Sequence, residues 1–474
     1  MAASQASQAS QVKQQSRPRL PQVGQILESP FLEQAISRLS RPIVTDAIRR
    51  VIDGYRKQRR FITSDEDMQQ LQNDILSSCR SLIRTRQTRV INATGTVIHT
   101  NLGRSPISPE LWDAVSEVNT GYSNLEISLA KGKRGERKGL VNHLVNALTG
   151  SEDAVVVNNN AASVWLLLNE LAAGKEVIVS RGEQIQIGGG FRIPDIMRMA
   201  GAKMVEVGTS NITTADDYID AVTEDTALVL MVHKSNFAVR GFTETADMKE
   251  VARRLPEHVL LAVDQGSGLV TETISKEEIP ADRYLRQGAH LVCFSGDKII
   301  GGPQAGIICG RKDLVKKLEK NPMMRAFRPG RVVYSLLEEL LVRKLNSEDC
   351  GRGIAERSQL NLEANRQWAE REAAELGGSP EQGNYVSLVE DQLIIGGGTL
   401  PDEYYPSWSL EINLNKAANQ ILDELREMPV PVVAVIRNDK VRINLATILP
   451  EDRDVVAGQL RNYFFAKESQ EYVK

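Results

Sequence analysis

Hydrophobic and polar positions change their periodicity along the chain, and the first clear pattern is helical. One face of a predicted helix carries Val44, Ile48, Val51, Ile52 and Tyr55. A second helix is predicted from about 65 to 84, so residues 20–90 are expected to form a small helical domain. The preceding residues 1–19 are rich in Ala, Ser and Gln and nearly lack large apolar side chains, which predicts a disordered tail.

From residue 91 the pattern becomes one of short apolar runs that alternate with helical segments. The runs are almost continuously apolar, as strands are when helices cover both faces of a mainly parallel sheet. They lie at 154–157, 177–180, 204–207, 227–232, 259–263, 290–294 and 306–309. We therefore predict an α/β core over 91–345. Mixed helix and strand patterns predict an α+β C-terminal domain over 346–474.

Composition agrees with a globular protein and argues against several other classes. The 474 residues are 41% hydrophobic and 25% charged, and no apolar run reaches the ~18 residues of a membrane span. The start of the chain lacks the basic and apolar stretches of a secretory signal. Four widely spaced cysteines form no C-x-x-C pair, which argues against a zinc site and favours a reducing, cytoplasmic location.

The net charge of −3 conceals an uneven distribution. Residues 1–90 contain 15 Lys or Arg and 8 Asp or Glu, a balance of +7. The remainder contains 43 and 53, a balance of −10. The basic front end suits a polyanionic partner, although a solvated helical surface explains the same charges.

Small and mostly polar residues follow the first apolar run and precede an apolar helix. They are Asn158, Asn159, Asn160, Ala161, Ala162 and Ser163. Free backbone N–H groups at such a helix start bind phosphate. Simple N-capping is the alternative, since Asn and Ser are favoured caps.

A carboxylate and an amine follow two later runs, and adjacent strand ends bring such groups to one edge of a parallel sheet. Asp264 comes after 259–263, where a buried carboxylate is costly unless a cation meets it. Lys298 lies 34 residues further on, in the glycine-rich turn that begins at Ser295. A structural ion pair is the alternative explanation for the two.

The anion cradle, the aspartate and the lysine, in this order, are the parts that pyridoxal phosphate requires. The lysine holds the aldehyde as a Schiff base, the aspartate keeps the pyridine nitrogen protonated, and the cradle anchors the phosphate. We expect cofactor contacts from Lys298, Asp264, Asn159, Asn160, Ala161, Ser295 and His233. His233 and Asn236 follow the run at 227–232, where a histidine is more often a satisfied core group.

Several stretches closely resemble the bacterial L-seryl-tRNA(Sec) selenium transferases, or selenocysteine synthases, and together span about residues 90–345. The most specific is FSGDKIIGGPQAG at 294–306. Others are VINATGTVIHTNLGRSPIS at 90–108 and NPMMRAFRP at 321–329. LPQVGQILESPFL at 20–32 resembles the family's N-terminal helical segment, whereas the C-terminal region matches more loosely.

The resemblance implies a fold-type-I pyridoxal-phosphate enzyme that converts seryl-tRNA(Sec) to selenocysteinyl-tRNA(Sec) with selenophosphate, by β-elimination to an aminoacrylyl intermediate and selenium addition. It implies that Lys298 carries the cofactor and that Arg104, Arg325 and Arg328 bind the selenophosphate oxyanion. It also implies that the N-terminal domain binds tRNA and that the chain forms a homo-oligomer, a decamer in bacterial members. Elimination of the seryl hydroxyl needs a general acid, for which Lys298, Asp297 and His233 are candidates.

The chain departs from the family pattern at three places. DQGSG at 264–268 replaces the usual DLGSG, SNITT at 210–214 stands where TNRTH is common, and MMRAFRPGR at 323–331 replaces LKRALRxDK. These changes keep the aspartate and both arginines, so they concern substrate selectivity more than the chemistry.

Two other functions remain open from the sequence. One is a related pyridoxal-phosphate lyase or transferase that acts on a free small amino acid. The other is a non-catalytic tRNA-binding scaffold with a vestigial pocket. Retention of Lys298, Asp264 and the three arginines argues against a scaffold, because a vestigial pocket has no physical need for all five.

Overall fold

The computed structural model describes residues 20–187, 190–234, 239–270, 278–347, 362–376, 385–396 and 403–465. The predicted tail at 1–19 and Asn236 lie outside these residues. The chain divides into two compact units, Met1–Arg89 and Val90–Lys474.

The first unit consists of short helices around an apolar core. Its helices are Val23–Leu27, Glu33–Leu39, Arg41–Lys57 and Asp65–Arg84, with a 3-10 turn at Pro30–Leu32. The last helix begins with a capping box, in which Ser64 and Asp67 each accept a hydrogen bond from the other's backbone N–H. The predicted apolar face packs inward, since Val44, Ile48 and Ile52 are at most 1% exposed.

A seven-stranded sheet forms the centre of the second unit. In spatial order its strands are Asp153–Val157, Gly306–Gly310, Leu291–Ser295, Leu260–Gly266, Thr226–Val232, Glu176–Ser180 and Lys203–Val207. All neighbours are parallel except at Gly306–Gly310, which is antiparallel to both of its neighbours. Each strand overlaps one of the predicted apolar runs.

Helices and two separate apolar clusters cover the two faces of this sheet, which explains why its strands are apolar on both sides. The helices are Pro109–Ala114, Ser116–Thr120, Val141–Thr149, Asn160–Ala172, Ile193–Met199, Ala215–Asp220, Met248–Arg254, Ala281–Arg286, Lys312–Lys320, Met324–Phe327 and Arg331–Leu345. Two short hairpins, Ile127–Ser128 with Lys133–Arg134 and Gln186–Ile187 with Phe191–Arg192, lie outside the sheet.

A second, five-stranded sheet is built mainly from the C-terminal region. Its strands, in spatial order, are Val435–Arg437, Lys440–Asn444, Tyr404–Ile412, Val386–Gly396 and Thr96–Ile98. Its associated helices are Leu362–Leu376, Ala418–Arg426 and Arg453–Phe465. Residues 91–98 were expected to belong to the preceding core, yet Ile91–Asn92 pairs with Val432–Val433 and Thr96–Ile98 pairs with Val386–Gly396.

Among the described residues, no helix combines the length and the apolar character needed to cross a bilayer.

Candidate active site

The loop after Asp153–Val157 forms the predicted helix start. The Asn159 side chain accepts a hydrogen bond from the Ala162 N–H at 2.9 Å, so it is the N-cap of the helix Asn160–Ala172. The first N–H groups of a helix have no partner inside it and carry partial positive charge, which favours an anion there. The capping role and the anion-binding role are therefore compatible at this loop.

Unpaired polar atoms and a very close backbone approach mark the same place. Ser163 Oγ and Asn160 Oδ1 are buried and have no hydrogen-bond partner within the described part of the chain. A Cβ at Gly306 would lie 2.3 Å from the Asn159 carbonyl oxygen and 2.2 Å from Ser163 Oγ, so only glycine fits there. Buried polar atoms are normally paired, so these two atoms indicate room for a polar ligand.

Asp264 lies inside the strand Leu260–Gly266, two residues before its end, rather than just beyond the strand as the sequence suggested. Asn160 Nδ2 donates to Asp264 Oδ1 at 2.8 Å, and the Cys293 thiol lies 3.7 Å from the same oxygen. Burial raises the pKa of Asp264, whereas the Asn160 hydrogen bond and the charge of Lys298 lower it. The carboxylate is thus joined to the helix start by the Asn160 hydrogen bond and is stabilised by the charge of Lys298.

Lys298 is 8% exposed and lies in the turn after Leu291–Ser295. Ser105 Oγ donates to the Lys298 carbonyl oxygen at 2.7 Å, and the Ile299 N–H donates to the Ser267 carbonyl oxygen at 3.0 Å. Burial lowers the pKa of the Lys298 amine and the nearby Arg104 charge lowers it further, while Asp264 and Asp297 act in the opposite direction. The hydrogen bond from Ile299 to Ser267 joins the lysine turn to the turn after Asp264, so the structure brings the two predicted segments together.

Arg104 belongs to the same region because its segment is anchored on the lysine turn. Its Nη1 donates to Asp297 Oδ2 at 2.7 Å, and the Ser105 N–H donates to the Asp297 carbonyl oxygen at 3.3 Å. Arg104 has a φ of 64°, a left-handed conformation that is uncommon for a side-chain-bearing residue. Arg104 and Asp297 line a cavity of about 440 Å³ together with Thr100 and Gln304.

Arg325 and Arg328 lie on a segment that packs against the helix start. The Asn158 N–H donates to the Phe327 carbonyl oxygen at 2.9 Å, and the Phe327 ring meets the Trp165 ring edge to face with centroids 5.5 Å apart. Arg328 Nη1 lies 3.7 Å from Glu126 Oε1, and Arg325 is exposed on the short helix Met324–Phe327. The predicted arginines are thus anchored to two sides of the site, and Arg104 and Arg328 have different acidic partners.

His233 is half-buried after the strand Thr226–Val232, with 23% of its side chain exposed, and Ser295 is buried at the end of its strand. The His233 N–H donates to the Asp264 carbonyl oxygen at 2.9 Å. Burial, together with the charges of Lys298 and Lys234, lowers the pKa of His233 to about 4. The imidazole is therefore neutral at pH 7, which weakens its case as the general acid.

Sequence reasoning missed two acidic residues near these groups. Glu126 contacts Arg328, and the buried Glu278 Oε1 lies 3.8 Å from His233 Nε2. Neither follows an apolar run or belongs to a recognisable motif, so their positions depend on loops that periodicity does not predict. Ser105 was inside a matching stretch, but only the structure reveals its hydrogen bond to the lysine backbone.

The donor set fits pyridoxal phosphate. A helix start with free N–H groups and the unpaired Ser163 hydroxyl suits the phosphate, a buried carboxylate suits the pyridine nitrogen, and a buried amine of lowered pKa suits the aldehyde. The residues that would hold the group are Asn159, Asn160, Ala161, Asp264, Ser295 and Lys298.

Comparison with known proteins agrees with this chemistry. Residues 90–449 match the family described as L-seryl-tRNA selenium transferase, and residues 19–56 match the family described as selenocysteine synthase N terminal. An L-seryl-tRNA(Sec) selenium transferase from Alkaliphilus oremlandii is 37% identical and covers 92% of this chain and 96% of the relative. One of that name from Aquifex aeolicus is 38% identical over 94% of this chain and 97% of the relative.

A solved structure shares the fold. The structure of D-glucosaminate-6-phosphate ammonia-lyase has a TM-score of 0.56 at 20% identity, and the match covers 79% of this chain and 95% of that one. The predicted α/β fold, with its mainly parallel large sheet, is confirmed.

Proposed function

Because the chain belongs to the L-seryl-tRNA selenium transferase family, we propose that it converts seryl-tRNA(Sec) to selenocysteinyl-tRNA(Sec), with pyridoxal phosphate as cofactor and selenophosphate as selenium donor. The observation that carries this proposal is the burial of Lys298 and Asp264 on two turns joined by the Ile299–Ser267 hydrogen bond, with Asp264 bonded to Asn160 at the helix start. Bound pyridoxal phosphate supplies an aldehyde that joins an amine and a ring that accepts the electrons released at Cα.

Asp264 has the task of holding a proton on the ring nitrogen. A carboxylate stabilises a protonated pyridine only if it stays in place and ionised, and the Asn160 hydrogen bond at 2.8 Å supports both conditions. Asn159, Asn160 and Ala161 bind the phosphate, and Ser295 lines the turn that presents Lys298. His233 packs beside the ring as a neutral side chain.

Lys298 moves the proton that elimination requires. Burial lowers the pKa of Lys298 and so favours the neutral amine, whose Nζ can accept the Cα proton of the seryl group. The resulting ammonium then donates this proton to the departing hydroxyl oxygen, so that water leaves. Among the three acid candidates we favour Lys298, because Asp297 is engaged with Arg104 and His233 is neutral.

Arg104, Arg325 and Arg328 bind the oxyanion of selenophosphate. A guanidinium stays charged at all relevant pH values and binds two oxygens at once, which suits a phosphate-like group. Arg104 is held by Asp297 at 2.7 Å, so its charge is compensated until the anion arrives. Arg328 shares the single carboxylate of Glu126 with Arg134 and Arg137, so positive charge is in excess there and favours an anion.

The first unit supplies the tRNA contact, which accounts for its balance of +7. We also propose that the protein acts in the cytoplasm as a homo-oligomer, a decamer as in bacterial members of the family. Large exposed apolar side chains at Trp112, Tyr122 and Leu129 support a surface that a second copy covers.

The deciding experiment supplies purified, cofactor-loaded protein with seryl-tRNA(Sec) and selenophosphate and assays selenocysteinyl-tRNA(Sec) by mass spectrometry of the released amino acid. Formation of selenocysteine on the tRNA supports the proposal. A folded, cofactor-loaded protein that acts on free serine but leaves seryl-tRNA(Sec) unchanged contradicts it and favours a free-amino-acid lyase.

A further inference from the structure

A fully buried polar cluster lies immediately beyond Asp264, and the reaction described above makes no use of it. Gln265 and Ser267 are 0% exposed and Glu278 is 4% exposed. Gln265 Nε2 donates to Glu278 Oε1 at 3.0 Å, and the Ser267 hydroxyl donates to the same oxygen. A buried carboxylate is costly, so two converging donors on one oxygen indicate a built arrangement.

This cluster also joins the two turns that present Asp264 and Lys298. The Gly268 N–H donates to Gln265 Oε1 at 2.9 Å, which closes the turn after Asp264. The Ser267 carbonyl oxygen accepts the N–H of Ile299, the residue after Lys298, at 3.0 Å. A change in Glu278 is therefore transmitted to both catalytic turns.

Charged and titratable groups face Glu278 from several elements. Lys298 lies close enough for each of the two charges to favour the other, and His233 Nε2 lies 3.8 Å from Glu278 Oε1. Burial and the charge of Glu278 raise the pKa of Tyr284, on the helix Ala281–Arg286. The charge of Glu403, before the strand Tyr404–Ile412, adds to burial in raising the pKa of Glu278. Among these, Lys298 is the cation that the carboxylate stabilises.

We propose that Glu278 is a positioning residue of this site, whose charge controls the protonation of Lys298 while its hydrogen bonds hold the turn after Asp264. The inference rests on the cofactor-binding part of the proposed function. Glu278 touches neither the substrate nor the reacting atoms and acts through the lysine.

Opposing effects on the pKa of Lys298 explain why the charge of Glu278 matters. Burial raises the pKa of Glu278 to about 7, while Ser267 and Lys298 favour its ionised form. Burial and Arg104 lower the pKa of Lys298, and Asp264, Asp297 and Glu278 counteract this effect. Of those three carboxylates, Asp264 is the proposed partner of the ring nitrogen and Asp297 is paired with Arg104. The charge of Glu278 can therefore be removed without loss of a proposed catalytic or substrate-binding contact.

The test compares full-length wild type, Glu278→Gln, Glu278→Asp and Gln265→Leu. Glu278→Gln keeps an oxygen that accepts both hydrogen bonds but removes the charge. Glu278→Asp keeps the charge on a shorter side chain. Gln265→Leu keeps the charge of Glu278 and the approximate side-chain volume at position 265, but it removes the amide that donates to Glu278.

Two measurements report the protonation of the Lys298 nitrogen and need no turnover. They are the pH titration of cofactor absorbance in the loaded protein and the pH dependence of cofactor uptake by the apoprotein. We expect Glu278→Gln to lower both midpoints by about one pH unit, because removal of a nearby negative charge favours the neutral amine. Glu278→Asp should restore most of the shift. Gln265→Leu should lower the thermal midpoint and leave the titration close to that of wild type.

Equal titration midpoints for wild type and Glu278→Gln overturn the inference. So does an equal shift in Gln265→Leu, because it assigns the effect to turn geometry instead of charge. If Glu278→Gln does not fold, Glu278→Asp decides: a midpoint near that of wild type supports control by charge, and a midpoint displaced downwards by a full unit refutes it. Failure of the wild type itself to take up pyridoxal phosphate refutes the proposed function instead, so the two failures are distinguishable.

Discussion

Two parts of the candidate site differ in their solvent exposure: the lysine cleft, formed around Lys298 and Asp264, and the arginine positions, Arg104 and Arg328. Lys298 and Asp264 are 8% and 6% exposed, whereas the side chains of Arg104 and Arg328 are 29% and 35% exposed. Burial moves the pKa of an amine or a carboxyl towards neutral pH, but it cannot usefully discharge a guanidinium. Groups that exchange protons are therefore buried, and groups that need only a fixed charge stay near the surface.

The two regions also differ in what holds them together. Hydrogen bonds to backbone carbonyl oxygens fix the lysine turn to its neighbours: the Ser105 hydroxyl donates to Lys298 and the Ile299 N–H donates to Ser267. Arg104 pairs with the single carboxylate of Asp297 at 2.7 Å, and Arg328 lies 3.7 Å from Glu126, which also pairs with Arg134 and Arg137. An incoming anion can compete with a single carboxylate for a guanidinium, but it cannot displace a set of backbone hydrogen bonds. The cleft is accordingly preformed, while the arginines can rearrange on binding.

Among the predicted changes, replacement of Lys298 by alanine should have the largest effect on cofactor binding and turnover. The variant loses the amine that binds the cofactor and moves the proton, so we expect loss of the cofactor absorbance band and a fall in turnover of at least about 1,000-fold. Absorbance spectra and single-turnover assays measure both quantities. Lys203→Ala, which removes an exposed lysine of the same sheet, is the matched control and should behave as wild type. Appreciable turnover by Lys298→Ala contradicts the assignment.

A buried carboxyl outside the proposed reaction tests whether burial alone shifts a pKa in this unit. Burial raises the pKa of Glu183 to about 7, even though the Val232 N–H donates to it at 2.9 Å. The native state therefore binds more protons than the unfolded state between about pH 4.5 and 7, and stability falls as pH rises through this window.

Glu183→Gln stays neutral, so it should be more stable than wild type at pH 8 by up to about 3 kcal/mol. The difference should disappear at about pH 3, well below the unfolded-state pKa, where the wild-type carboxyl is protonated in both states. Urea unfolding followed by circular dichroism at the two pH values measures it. Glu224→Gln, at an exposed position, is the control and should show no such difference. A Glu183→Gln protein that is equally or less stable at pH 8 argues against the raised pKa.

The large sheet could be predicted from sequence because it depends on local patterns, and continuous apolar runs identified its strands. Polar residues after those runs pointed to Asn159, Asp264 and Lys298, whose cofactor contacts stay a prediction. The pairing of Thr96–Ile98 with Val386–Gly396 could not be predicted, because a three-residue strand has no periodicity and its partner lies about 300 residues away. Glu278 was missed for a similar reason, since its importance comes only from contacts made in the folded chain.

At the exposed end of the comparison, Arg328→Ala should lower kcat/KM for selenophosphate by about 10- to 100-fold, the equivalent of one or two charge-assisted hydrogen bonds. Arg328→Lys should recover only part of this loss, because an ammonium lacks the planar fork. The cofactor absorbance should not change, because Arg328 is outside the lysine cleft. Steady-state kinetics with varied selenophosphate provides the measurement. Arg311→Ala, at an exposed pair with Asp313, is the control, and an equal loss there removes the special role of Arg328.

The smallest effect is expected on the first unit, where the lysines and arginines of the described residues are exposed and the proposed partner is tRNA. On the helix Arg41–Lys57, Arg50 and Arg56 pair with Asp46 and Asp53, whereas Arg49 and Lys57 form no ion pair within the described part of the chain. An arginine whose charge is already balanced offers less to a phosphate than one that is not. The unpaired residues should therefore contribute more to tRNA binding, although the four side chains carry equal charge.

Arg49→Ala with Lys57→Ala should weaken binding of seryl-tRNA(Sec) a few-fold and reduce the slope of log affinity against log salt by about 2, one for each phosphate that is no longer neutralised. Arg50→Ala with Arg56→Ala removes the same charge and should have a smaller effect on the slope. Filter binding at several salt concentrations measures both. Equal slopes for the two double variants would mean that net charge alone governs binding. Unchanged slopes in both would place the tRNA-binding surface elsewhere, because counterion release depends on which positive side chains meet phosphate.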